Sequence, residues 1–169
     1  MPEPRHSRHR RGTQAVEFIL ISIPTIVIML SVFESAMVMW EYHTLASAAQ
    51  MEARYIVVHG STCTTCNALT IGTLATYLEA HATGLDPSKL GATFISTNSS
   101  TGCTPISGCT SSSTAFPPST NGDNAAGLDI TVKVTYPVNN PIVVFWPGTS
   151  FSQTGSMTLG AVSTQRILY

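Results

Sequence analysis

Charge is what this chain has least of. Only 10 % of its 169 residues are Asp, Glu, Lys or Arg, against about 25 % in soluble domains, so the residues that solvate a free surface are in short supply. The run from Phe18 to Phe33 contains no charged residue, and no glycine falls between Thr13 and His59. The basic residues are also unevenly placed. Four of the eight Lys and Arg (Arg5, Arg8, Arg10, Arg11) precede Gly12, beside Glu3, one of nine acids. Downstream of Gly12 four basic and eight acidic residues remain, which takes the formal charge from -1 to -4 and leaves nothing from which to build a nucleic-acid patch. Catalytic signatures are missing as well: no serine sits in a nucleophile elbow, and no glycine-rich phosphate loop occurs. His6 and His9 belong to the basic tail. His43, His59 and His81 stand singly on predicted helices, without a carboxylate and nucleophile to work with, and read as surface or capping residues.

What is present begins at the junction between the basic tail and the apolar run. The run carries one early acid, Glu17, the fifth residue after Gly12. A carboxylate at the centre of a bilayer helix costs roughly 2.5 to 3.5 kcal/mol, so an acid in such a segment implies a specific partner. Phe18 to Phe33 is slightly short of the typical membrane span of about 20 residues, and Ala36 to Trp40 extend it past Glu34. Arginines before the span predict a cytoplasmic N-terminus and put the remainder across the membrane, with Trp40 and Tyr42 as interfacial anchors. A secretory signal peptide is the competing reading, but its small-residue cleavage site, Ala46 to Ala48, lies too far from Phe33. Arg10 and Arg11 suggest a twin-arginine signal that the following residues do not support.

Arg11 and Gly12 followed by Thr13, Gln14, Ala15, Val16, Glu17 and Phe18 resemble the processing site of type IV prepilins. Pro24 within the run, Glu34 at its close, and Leu45, Ala46, Ala49, Ala53, Arg54 and Tyr55 beyond it extend the likeness. Together they resemble a TadE-like minor pilin, or pseudopilin, of the tight-adherence (Tad/Flp) pilus system. The likeness is specific over about the first third of the chain. One departure precedes Glu52, where the family often has a basic residue and this chain has Gln50 and Met51. The resemblance implies a prepilin peptidase that cuts after Gly12, leaving Thr13 as the mature N-terminus, and a role for Glu17 and Phe18 in assembly. It further implies other pilins, pilus assembly platform proteins and the inner membrane as partners, with no enzymatic activity and no cofactor. Residence in an extracellular pilus, at its tip or only in its assembly stays open.

From Thr13 to about His59 the chain reads as one helix, because its single proline is tolerable in a membrane span and Gly60 stops it. At about 100° per residue, Glu34, Glu41, Glu52 and His59 share one line, and His43, Ser47, Gln50 and Arg54 a nearly opposite one. Two apolar seams lie between them, Met37, Met51 and Tyr55 on one side, and Val38, Tyr42, Ala46, Ala49, Ala53 and Ile56 on the other. One seam against the protein's own domain and one against another subunit, or both within the domain, are equally compatible with this pattern. A second helix is predicted over 68–82, and a short strand over 92–95. The stretch 96–124 is rich in Ser, Thr, Gly, Asn and Pro and reads as an irregular surface loop. Its Asn98-Ser99-Ser100 matches a glycosylation sequon and is given no role. Strict alternation makes 128–136 the clearest strand, paired antiparallel with a last strand over 156–167 through a long turn containing Pro137, Asn139, Asn140, Pro141 and Pro147. The apolar stretch Ile142 to Trp146 is either a cover for one end of the sheet or a docking patch.

The predicted class is therefore α+β, with a long N-terminal transmembrane helix, a second helix and a small antiparallel sheet. The expected organisation is a basic leader over 1–12, a long helix over 13–59 with its membrane segment at about 18–40, and a periplasmic domain over 60–169. Four cysteines on the predicted periplasmic side fit two structural disulfides in an oxidising compartment. Cys63 with Cys66 and Cys103 with Cys109, or pairs that tie the Ser/Thr-rich loop to the end of the long helix, are equally allowed. Cys63 and Cys66 form a C-x-x-C before the second helix, and a membrane-anchored thiol oxidoreductase is the alternative function they raise, although the βαβ setting of such enzymes is missing. No His or Cys cluster completes a metal-ligand set. An anchored envelope domain without a pilus role is a third possibility.

Overall fold

The computed structural model describes residues 10–59, 69–119, 122–139 and 156–167, with the side chains of 10–13, 139 and 156 left aside. Two compact units result, one up to Met37 and one from Val38 onward. Helix α1 runs from Arg10 to His59 with Pro24 inside it. In the first unit the apolar side chains of α1, from Val16 through Phe33, stand exposed.

The second unit is α+β. It comprises the last part of α1, helix α2 (Ile71–His81), strands β1 (Gly91–Ile95) and β2 (Ser100–Cys103), a 3-10 turn at Ile106–Cys109, and strands β3 (Asp129–Asn139) and β4 (Ser156–Arg166). The strands form one antiparallel sheet in the order β2-β1-β3-β4. Its register follows from side-chain alternation: Ile130, Val132, Val134, Tyr136 and Val138 are buried while Asp129, Lys133 and Pro137 are exposed, since a one-residue slip would exchange the two sets. One hydrophobic cluster joins these residues with Phe94 of β1, Leu159 and Ala161 of β4, Leu74, Ala75 and Leu78 of α2, and Leu45, Ala48, Ala49, Ala53 and Ile56 of α1.

Helix α2 starts where Thr70 caps it: the Thr70 hydroxyl accepts from the Thr73 amide, and the Thr73 hydroxyl from the Thr70 amide. The next free amides, of Ile71 and Gly72, donate to the carbonyls of Thr114 and Ser112 at 2.8 and 3.0 Å. That docking explains a glycine inside a helix, since a Cβ at Gly72 would lie 2.6 Å from the Thr110 carbonyl. Gly84 follows α2 at φ +84°, a conformation that favours glycine, and an added Cβ would lie against the Trp40 ring.

Three differences from the sequence reading have physical causes. The stretch 96–124 is not wholly irregular. It contains β2 and the 3-10 turn, and it buries Ile106 and Phe116. β2 reads Ser-Thr-Gly-Cys and has no apolar alternation; its strand geometry comes from the ladder to β1. β3 continues through Pro137 to Asn139 instead of turning there. The ladder to β1 ends at Thr135, so beyond it β3 pairs with β4 alone, and a strand with one free side tolerates proline. The rest of the expected turn, with Ile142 to Trp146, lies outside the described residues.

The third difference is Glu52. The line it shares with Glu41 is not a solvated stripe, because Leu45 and Ile56 flank it within about 40° around the helix and this sector faces the core. Glu52 is 0 % exposed and neither carboxylate oxygen has a hydrogen-bond partner. Of the two seams, Val38, Ala46, Ala49, Ala53 and Ile56 pack inward, whereas Met37 and Met51 are exposed.

Burial pushes the Glu52 carboxyl up to about 9 from its ordinary 4.5. A raised carboxyl pKa means that the folded state holds a proton the unfolded chain releases. Stability is then highest below pH 4.5 and falls as pH rises toward about 9, by about 1.4 kcal/mol per pH unit. Glu52→Gln removes this dependence and is expected to be more stable than wild type at pH 7 by on the order of 3 kcal/mol, with the gap closing near pH 4.5. Thermal unfolding of both proteins across that pH range checks it; a gap that does not change with pH contradicts it.

Candidate functional site

The first unit of α1 is the natural place to look for function, because its large apolar side chains stand exposed. It is the one helix among the described residues that is long and apolar enough to cross a membrane, and its most apolar window is entirely unburied. As a helix, residues 18–40 measure about 35 Å, enough for a hydrocarbon core of about 30 Å.

Polar groups in that segment are dealt with locally. Ser22 donates to the Ile19 carbonyl at 3.2 Å, Thr25 to Ile21 at 2.7 Å, Ser31 to Val27 at 2.8 Å, and Ser35 to Ser31 at 2.8 Å. Each hydroxyl is satisfied by its own helix, as an apolar medium requires. Pro24 brings no amide hydrogen to the Leu20 carbonyl, and Thr25 adds a donor one carbonyl further on. Glu17 is different. It is exposed and makes no hydrogen bond or ion pair among the described residues, so α1 presents a carboxylate among Val16, Phe18, Ile19 and Leu20, all more than half exposed. Phe18, 73 % exposed, stands beside it. Gly12 and Thr13 are helical in backbone, in the first turn of α1.

Comparison with known families decides what kind of helix this is. Residues 12–54 match the family model described as TadE-like protein. This N-terminal segment is TadE-like. The matched stretch is about a quarter of the chain; it opens on Gly12, takes in Glu17, Pro24, Glu34 and Glu52, and ends at Arg54 within α1. Searches of curated proteins and of solved structures gave no match. The match shows a likeness to TadE-like proteins over this segment alone. The membrane-competent helix fits anchoring in a membrane.

The cysteines divide. Cys63 and Cys66 lie outside the described residues. Cys103 and Cys109 form a disulfide with Cα atoms 6.0 Å apart, so within the Ser/Thr-rich stretch the bond is local: it ties the end of β2 to the end of the 3-10 turn. Cys103 is buried. No group of His, Cys, Asp or Glu suited to a metal ion occurs among the described residues.

Sequence reasoning missed Asp123, a fully buried acid. Its oxygens accept from the Ser96 hydroxyl at 2.7 Å, the Asn98 side chain at 2.7 Å, the Asn98 amide at 3.1 Å and the Ser99 hydroxyl at 2.9 Å. Burial opposes its ionisation, but Ser96, Ser99 and Asn98 together outweigh it and hold the carboxyl below its ordinary value. The Asn98 of the sequon therefore serves to fasten the β1–β2 turn. The available signal was a lone aspartate in a stretch otherwise free of acids. Also missed were two copies of Tyr-x-x-x-His, Tyr55 with His59 and Tyr77 with His81, whose rings stack 4.2 and 4.0 Å apart.

The Cys103–Cys109 loop is short, and closing so few residues is worth about 2 kcal/mol in chain entropy. Cys103→Ser is expected to lose about that much stability and to be cleaved faster by protease between β2 and α2's docking segment, while still inserting in membranes. Limited proteolysis of membrane-extracted protein measures it. Unchanged cleavage contradicts a structural role for the bond.

Proposed function

We propose that this protein is a minor pilin or pseudopilin acting in the assembly of a Tad/Flp-type pilus through its N-terminal helix. One observation carries the reading: the TadE-like match coincides with an α1 segment whose apolar side chains and carboxylate have no partner among the described residues. In this reading the arginines before Gly12 keep the N-terminus in the cytoplasm, residues 18–40 cross the inner membrane, and the domain after the span lies in the periplasm. A prepilin peptidase removes residues 1–12, and pilins and assembly platform proteins are the partners.

The physical logic is a transfer between two apolar surroundings. A helix stored in a bilayer loses no hydrophobic contact when it moves into a bundle of like helices, and only its polar groups must find new partners. Cleavage after Gly12 creates an α-amino group on Thr13 that is mostly protonated at neutral pH. A cation at the edge of an apolar bundle needs an anion, and Glu17 of a neighbouring subunit supplies it. Pairing between subunits also fixes the register in which a helix enters, a role for which buried polar groups are well attested.

The purified protein should therefore begin at Thr13, and Gly12→Leu should retain residues 1–12; mass spectrometry of the N-terminus reads both. An intact wild-type N-terminus in cells with an active prepilin peptidase contradicts the assignment.

Glu17→Gln should still be cleaved and inserted but should lose most of its co-purification with other pilins. Full recovery of those partners with the mutant contradicts the role given to Glu17.

A further inference from the structure

The described residues of the second unit line an open groove of about 610 Å³ between α2, the end of α1 and residues 110–113. That is within the usual range for small-molecule sites, and nothing in the pilus reading uses it.

One wall carries Tyr55 and Tyr77, the two middle rings of a stack of four. His59 lies on Tyr55 at 4.2 Å, Tyr55 on Tyr77 at 4.2 Å, and Tyr77 on His81 at 4.0 Å. Each histidine sits one turn after its tyrosine, with its Nδ1 at 3.0 Å from the Tyr55 carbonyl and 2.8 Å from the Tyr77 carbonyl respectively. The stack joins α1 to α2 and orders both tyrosines. The facing wall is residues 110–113, held against the first turn of α2 by the Gly72 amide bond to Ser112. Both walls are thus built before any ligand arrives, which lowers the ordering cost of binding.

Among the described residues the lining is uncharged: it contains no Asp, Glu, Lys or Arg, and its polar groups are all hydroxyls or backbone. A charged ligand would leave water for a site with no counter-ion, at a cost. A hydroxyl both donates and accepts, and those of Tyr55, Tyr77, Ser111 and Ser113 make no hydrogen bond among the described residues. Thr73 and Thr76, whose hydroxyls donate to the Thr70 and Gly72 carbonyls, line the groove as well. The matching ligand is neutral, has donors and acceptors at close spacing, and offers C–H surface between them. We infer that this groove binds a neutral saccharide, through the hydroxyls of Tyr55, Tyr77, Ser111 and Ser113. The site is independent of α1's membrane segment and of pilus assembly.

The test uses the full chain in dodecylphosphocholine micelles, a detergent without sugar, and follows threonine methyl resonances by NMR. Cellotriose and tri-N-acetylchitotriose are the neutral probes, and a sulfated trisaccharide of equal size is the charged one. Saturable shifts confined to Thr70, Thr73, Thr76 and Thr110, with the sulfated probe at least tenfold weaker, are expected. Ala80→Trp, at the exposed rim, should weaken binding at least tenfold by filling the groove, and Ser113→Val several-fold by removing one hydroxyl. Unchanged β3 and β4 resonances establish that each variant is folded. Absence of saturable shifts with both neutral probes, equal or tighter binding of the sulfated one, or full binding by a folded Ala80→Trp overturns the inference.

Discussion

Everything in this molecule follows from one imbalance: the helix that begins the chain carries far more apolar surface than the chain can cover. Between Val16 and Phe33 the large side chains are exposed, and burying each would be worth roughly 1.5 to 3 kcal/mol. Such a segment has to be solvated by something apolar, a bilayer or other helices. The back-bonded serines and threonines, the uncharged run and the arginines ahead of it all agree with that requirement. Glu17 alone opposes it, which makes it the residue whose partner matters most.

The later part of the same helix meets a different constraint. There small residues, Ala48, Ala49 and Ala53, let α1 pack closely into a core built from α2 and one face of the sheet. Glu52 lies in that core without a partner. A buried acid kept protonated is less costly than a buried carboxylate but contributes less than an apolar side chain of the same size. The domain therefore accepts a stability penalty at one position in α1, and the compensating interactions lie elsewhere: the Asp123 clamp, the Cys103–Cys109 bond and the capped start of α2.

Much of the fold could be read in advance because it rests on strong periodicity. α1, expected over 13–59, spans Arg10–His59; α2, expected over 68–82, spans Ile71–His81; and the β3–β4 pairing follows from alternation. What was not legible has tertiary causes. β2 has no pattern of its own and exists by pairing. The burial of Glu52 depends on which side of α1 the sheet and α2 occupy, and a helical wheel shows only that its neighbours Leu45 and Ile56 are apolar. Asp123 finds its donors 24 to 27 residues away, beyond any local signal. For the candidate site the balance is reversed. Glu17 and Phe18 can be proposed from sequence because that candidate site is a linear stretch on one helix, whereas the groove beside α2 is assembled from three separate segments and left no trace.

The central claim is that the exposed face of α1 meets other pilin helices as well as lipid. A photo-crosslinking amino acid at Ile26, in the middle of the uncharged run, tests it in living cells. With the Tad machinery intact, the account predicts crosslinks to pilin subunits that disappear when the assembly proteins are deleted. Crosslinks to lipid alone in both backgrounds would contradict it.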